Sequence, residues 1–356
     1  MYTLLELNNF RCFKKFSMEL KPITLISGRN NTGKSSILDG LFLFQDYANP
    51  DVFMKLLGFR GMRQVEVSQR NLWEPLFHNM VLKDAMVLQV NGESALSLEK
   101  NKGFALSNGG QSMLDGKIDF QSGNYALSCI FKRDDKRFSG DYLIGNEKLN
   151  NAVVLLGHAD TTLLPNDEYI QYLGPHIILS DSIVADLFGQ VELSHNEVAK
   201  TKLLDVLAIL DESIKDITTI STSGLVQLYF TNKRGVKMPI HTMGDGIRKL
   251  LHIALIILTK PGCILLLDEV ENGLHYSLHP KFWEMLSTLA TQEKCQIVAT
   301  THSYECISGA LEGIKSANLI VDFAYVRLDK IDETIVPKAY TSDMLERALD
   351  TDWEVR

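Results

Sequence analysis

The chain has 356 residues, 45% of them hydrophobic, enough for one large core or two smaller ones, and a net charge of −8 that gives no global field toward nucleic acid or an anionic membrane. Five scattered cysteines (Cys12, Cys129, Cys263, Cys295, Cys306) lack metal-ligand spacing and read as reduced thiols. The first residues carry no basic, apolar leader, and apolar runs such as Leu250–Leu258 are too short to span a bilayer; a cytoplasmic protein with no membrane contact is expected.

Two or three strands are predicted over residues 1–27, the last being Pro22–Ser27. The stretch Gly28-Arg29-Asn30-Asn31-Thr32-Gly33-Lys34-Ser35 then matches the phosphate-binding pattern G-x-x-x-x-G-K-[ST] at every fixed position. Behind it, Ile37, Leu38, Leu41 and Phe42 fall at helical spacing. A glycine loop between a strand and a helix lets successive backbone N–H groups and the helix N-terminus face a polyphosphate. Lys34 would then reach the β- and γ-phosphates and Ser35 would ligate Mg²⁺, with Ser36 beside it. A nucleoside triphosphate is the expected ligand.

Residues 37–90 read as helices and loops, and 86–145 as short alternating strands punctuated by Asn91-Gly92, Asn108-Gly109-Gly110 and Asp115-Gly116. This antiparallel region is expected to be an insertion, with the mixed-charge run Lys132–Arg137 at a solvated hairpin tip. Residues 145–195 give no clear assignment. A helix is predicted from His195 to Leu210, followed by strands near Thr218–Ser221, Leu225–Phe230 and Val236–Ile240. Next, Met243-Gly244-Asp245-Gly246 opens a very apolar helix closed by Lys260-Pro261-Gly262, and such a glycine-rich helix start can hold an anion.

The run Cys263-Ile264-Leu265-Leu266-Leu267-Asp268-Glu269 describes a buried parallel strand delivering two carboxylates at its C-terminal edge. Asp268 would hold the Mg²⁺ shell and Glu269 would polarise the water that attacks the γ-phosphate. A third strand, Gln296–Thr300, ends in Thr301-His302-Ser303, which puts His302 in a position to hydrogen-bond the γ-phosphate.

In this order the motifs resemble ABC-type ATPase heads, and within them the SMC/RecF-like branch. Asn8-Asn9-Phe10-Arg11-Cys12-Phe13 is similar to that branch's opening strand, and Asp268–Ser277 resembles the Walker B and D-loop of the AAA15/AAA21 group, which includes the ATPase half of OLD-family proteins. The likeness covers roughly residues 1–80 and 235–325. It implies an α/β, ABC-type P-loop ATPase head (1–85 and 235–356) with an inserted antiparallel β lobe and a helical segment (86–234). It further implies that two copies sandwich ATP, each phosphate loop facing the partner's Gly244-Asp245-Gly246. A homodimer or higher homo-oligomer is thus expected, serving a separate effector, a nuclease or toxin, in antiphage defence. A RecF-like DNA-repair ATPase that binds DNA is the alternative. Two departures stand out. Gly244 replaces the usual signature serine, removing one hydroxyl donor; and the glutamine that couples to Mg²⁺ has only Gln45, Gln64 and Gln69 as candidates. Beyond Leu328 a short tail is expected, with no room for a TOPRIM-type nuclease module.

Overall fold

The structure, a computed structural model, describes residues 1–62, 66–101, 125–144, 153–157, 169–175, 180–193, 197–222 and 225–351. The expected turns at 108–110 and 115–116, His195 and Gln64 lie outside the described residues.

The N-terminal third supplies β1 (Leu4–Phe10), β2 (Phe13–Glu19), β3 (Ile23–Gly28), α1 (Lys34–Asp46), α2 (Val52–Phe59) and α3 (Gln69–Leu72). Then come β4 (Met86–Val90), β5 (Ser94–Asn101), β6 (Ala126–Arg133), β7 (Lys136–Ile144), β8 (Val153–Gly157) and β9 (Ile170–Leu173). Helices α4 (Asp181–Leu193) and α5 (Glu197–Ala208) precede β10 (Ile214–Thr222), β11 (Leu225–Asn232) and β12 (Lys237–Pro239). The last third is α6 (Asp245–Thr259), β13 (Ile264–Leu267), α7 (His279–Gln292), β14 (Gln296–Thr300), α8 (Tyr304–Ser316), β15 (Phe323–Ile331), β16 (Thr334–Tyr340) and α9 (Ser342–Asp350).

A six-stranded sheet in the order β16-β15-β3-β14-β13-β9 forms the centre, parallel except for β16. Strands β3, β14 and β13 are buried on both sides because both sides are covered. Along β13, Ile264 and Leu266 enter one core while Leu265 and Leu267 enter the other, the period-2 alternation of a strand between two layers. The first core joins the sheet to α1, α2 and the antiparallel strands; the second joins it to α4–α8 and to β10 and β11. Helix α6 is buried over Leu250–Ile257, which explains a sequence apolar nearly all round.

Two expectations need correction. The antiparallel strands are not a lobe apart from the head: β4–β8 continue β1 and β2 in one seven-stranded sheet, ordered β2-β1-β4-β5-β6-β7-β8. The boundary expected at residue 86 therefore cuts between paired neighbours, with Leu5 opposite Val90 and Leu7 opposite Leu88. Strand β9, also inside the expected 86–234 segment, is the parallel neighbour of β13 in the central sheet. Nor is the segment after Leu328 a tail. It completes β15, which pairs in parallel with β3 from Phe323 through Leu328, and turns back as β16.

Candidate functional site

Strands β3, β14 and β13 run parallel, so their C-terminal ends meet at one edge of the sheet. The Gly28–Ser35 loop leaves β3 there. Gly28 has φ 144°, and a Cβ on it would stand 2.7 Å from the Leu328 carbonyl of β15. Gly33 has φ 85°, and a Cβ there would lie 2.6 Å from both Cys12 Sγ and the Phe13 ring. Both places require glycine by conformation and by space. The β1–β2 turn and β15 thus pack the loop from two sides.

Gly33 caps α1 without a side-chain hydrogen bond, which keeps the first-turn N–H groups directed out of the helix. Lys34 Nζ folds back to donate to the carbonyls of Gly28 (2.5 Å) and Arg29 (3.1 Å), and burial lowers its pKa. These are neutral acceptors that an anionic phosphate would outcompete. Between loop residues 29–32 and the end of β15 with the first residue of the turn after it (residues 327–332) opens a cleft of about 620 Å³, within the size range of small-ligand sites.

The Asp268 carboxylate, 6% exposed, joins loop and sheet. Its Oδ1 accepts from Ser35 Oγ (3.0 Å) and Thr300 Oγ1 (2.5 Å), and its Oδ2 from the Tyr172 hydroxyl (2.8 Å). Thr300 also accepts from the Glu269 backbone N–H at 2.9 Å, so β14 fixes both acidic residues of β13's end. Tyr172, stacked on Phe59 with ring centroids 4.0 Å apart, went unnoticed in the sequence. Its signal was the short apolar strand β9 inside an unassigned stretch.

Glu269 sits at φ 47°, with its side chain 39% exposed and its Oε2 accepting from Asn272 Nδ2 at 2.8 Å. His302 Nδ1 lies 3.2 Å from Glu271 Oε1 and 3.9 Å from Glu269 Oε1, and the His302 backbone N–H also donates to Glu271 Oε1 at 3.0 Å. Glu271, mostly buried, therefore sets the orientation of His302; no role had been read for it in the sequence. Gly244 and Asp245 are exposed at the start of α6, whereas Gly246 is buried against the turn after β13, where a Cβ would meet the Gly273 carbonyl at 2.5 Å. One helical turn on, Lys249 Nζ donates to the carbonyls of Glu269 (3.1 Å), Val270 (3.0 Å) and Asn272 (3.3 Å). Burial pushes its pKa down to about 8.

The glutamine candidates do not gather here. Gln45 is buried at the far end of α1, bonded to the Tyr2 hydroxyl, about 16 Å along the helix from Lys34 at 1.5 Å per residue. Gln69 Nε2 is turned to the Tyr125 carbonyl at 3.4 Å. Among the described residues, no helix is long and apolar enough to cross a membrane.

A phosphate loop, an Asp-Glu pair and a Thr-His-Ser segment ending three parallel strands define an ABC-type, SMC-like ATPase head. The solved SMC head bound to the C-winged helix domain of ScpA superposes with a TM-score of 0.52 at 16% identity, covering 98% of this chain and 99% of that one. A Pyrococcus furiosus Smc head with an extended coiled coil, bound to the C-terminal domain of ScpA, gives 0.51 at 11%, covering 99% of each. At those identities the likeness speaks for the fold. Residues 130–308, half of the chain, match the family described as "AAA domain, putative AbiEii toxin, Type IV TA system", and residues 1–102 match "AAA ATPase domain". The chain belongs to this AAA15/AAA21 group of ABC-type, SMC-like ATPases. A Helicobacter pylori protein named an ATP/GTP phosphatase is 21% identical over 374 residues, 97% of each chain. An uncharacterized Methanocaldococcus jannaschii protein is 26% identical over 230 residues, 62% of this chain and 90% of its own.

Proposed function

We propose that this chain hydrolyses ATP to ADP and phosphate, closes as a homodimer or higher homo-oligomer around ATP, and thereby controls a separate nuclease or toxin in bacterial antiphage defence. The observation that carries the ATPase reading is the Asp268 carboxylate, which accepts the loop's Ser35 hydroxyl while the adjacent Glu269 stays open to solvent. The H. pylori relative's name supports hydrolysis, and the matched family's description supports a toxin-linked role. The free, mostly buried thiols fit a cytoplasmic setting.

In this reading Gly28, Asn30, Asn31, Thr32, Gly33 and Ser36 shape the loop around the phosphates, with Lys34 exchanging two carbonyls for phosphate oxygens. Ser35 and Asp268 supply the hard oxygen donors that suit Mg²⁺, which would neutralise charge on the phosphates. Glu269 takes the proton of the attacking water as the water oxygen bonds to the γ-phosphorus and the bond from that phosphorus to the bridging oxygen breaks, ADP leaving with the electron pair. His302, oriented by Glu271, donates to the γ-phosphate. The exposed Gly244–Asp245 helix start, with Gly246 behind it, presents N–H groups to the partner's triphosphate.

Lys34→Ala should abolish most triphosphate affinity without unfolding the chain, since the lost ammonium donates to two loop carbonyls and fills no core position. In a thermal-shift assay, ATP·Mg²⁺ at a hundred times its Kd should stabilise the wild type by about 2.7 kcal/mol and the variant by far less. An equal shift in both would refute the assignment.

A further inference from the structure

We infer that Lys249 is a positioning residue that yokes the start of α6 to the turn carrying Glu269, so that a partner's triphosphate held by α6 governs hydrolysis by the same chain's Glu269. This rests on the composite dimer site of the proposed function and names the device that couples its two halves.

The ammonium has three donors, and all three are directed at backbone carbonyls of one turn, those of Glu269, Val270 and Asn272. That turn holds Glu269 at φ 47° and Gly273 at φ 83°. A left-handed glutamate is strained and persists only where its surroundings hold it. The turn's own bonds are few: the Glu269 carbonyl accepts from the Asn272 N–H, the Glu271 carbonyl from the Leu274 N–H, and the Val270 N–H reaches the Thr300 carbonyl. Lys249 takes the Val270 and Asn272 carbonyls, which these bonds leave over, and shares the Glu269 carbonyl with the Asn272 N–H.

A second contact joins the same two pieces. Gly246 and Lys249 are three residues apart and share a face of α6. At Gly246 the helix backbone lies so close to Gly273 that even a methyl group has no room. Gly244 lies off that face, where an added Cβ would meet nothing within 4 Å, and Asp245 is exposed. The first turn of α6 thus has one side pressed on its own Glu269 turn and another open to a partner. A small shift of the helix on binding phosphate is therefore passed to Glu269 through two rigid contacts. Arg248 points elsewhere, 3.8 Å from Asp245, and does not duplicate the link.

The test compares wild type, Lys249→Met, Lys249→Arg and Gly246→Ala as full-length chains. A fluorescent ATP analogue gives affinity; steady-state assays give kcat, KM and the Hill coefficient. Methionine keeps the length and loses the charge. The expected result is affinity and KM within about twofold of wild type, kcat lower by ten- to a hundredfold, and a Hill coefficient falling to 1. Lys249→Arg should recover part of kcat. Gly246→Ala, which pushes helix and turn apart without touching the charge, should reproduce the loss and keeps the test open if Lys249→Met does not fold. Wild-type kcat and cooperativity in a folded Lys249→Met protein, or a loss of affinity that accounts for the whole loss of rate, would overturn the inference and leave the ATPase reading standing. A wild type without Glu269-dependent turnover would overturn both.

Discussion

Glu269→Gln should lower ATP turnover by at least about a hundredfold, the lower end of what a positioned general base contributes, while the protein still binds ATP. The backbone explains why the variant folds. The unusual φ of 47° is held by Thr300 on the Glu269 N–H and by Lys249 and Asn272 on its carbonyl, none of which involves the side chain. Glutamine can keep the bond from Asn272 through its own carbonyl oxygen, so the side chain's position is retained and only its capacity to take a proton is lost. ATP should therefore remain bound after gel filtration of the variant, and nucleotide extracted from the peak should be ATP rather than ADP. Wild-type turnover with no retained ATP would assign the base elsewhere.

Asp268→Asn should fail in a different way. Asp268 accepts three side-chain hydroxyls, from Ser35, Thr300 and Tyr172, so its charge is spread over a network that links loop to sheet. An amide offers one oxygen and an NH₂ group in place of two acceptors, and it lacks the charge that favours a divalent cation. Turnover should fall by on the order of ten- to a hundredfold or more, as expected when the groups orienting a metal are changed. The discriminating readout is Mg²⁺ dependence: titrating Mg²⁺ against EDTA should shift ATP affinity strongly in wild type and weakly in Asp268→Asn. No ATP should be trapped. Tyr172→Phe, which removes one of the three donors, belongs between wild type and Asp268→Asn. A Mg²⁺ response in Asp268→Asn equal to wild type would contradict the role given to the carboxylate.

The parts of the head legible in the sequence were those whose signal is local. Strands β3, β13 and β14 are mostly apolar, wholly buried and end in chemically marked loops, so run length and turn residues suffice to place them. What escaped depends on pairing between distant segments. The alternation of Met86–Val90 announces a strand but not that its partner is β1, some eighty residues earlier, which is why the antiparallel strands read as an insertion. Strand β15 carries no motif and ends in a charged hairpin, yet its Leu328 carbonyl is what forbids a side chain at Gly28. Tyr172 lies in a four-residue strand between segments without periodicity, and nothing local shows its hydroxyl meeting Asp268. Lys249 read as one polar position before an apolar helix; only the folded turn reveals three carbonyls converging on it.

The most direct test of the composite site is the mass of the 40.0 kDa chain by size-exclusion chromatography with light scattering, with and without ATP·Mg²⁺. Preferential binding of triphosphate to the closed state shifts the population toward dimer, and blocking hydrolysis with Glu269→Gln keeps it there. Adding Gly244→Glu to that variant places a carboxylate at the exposed helix start, where an added Cβ meets nothing within 4 Å and the variant should fold. It should abolish the ATP-dependent doubling of mass through repulsion of the partner's γ-phosphate, while each chain's own loop still binds ATP. A Glu269→Gln protein that stays monomeric with ATP bound, or an ATP-dependent dimer indifferent to Gly244→Glu, would contradict the account.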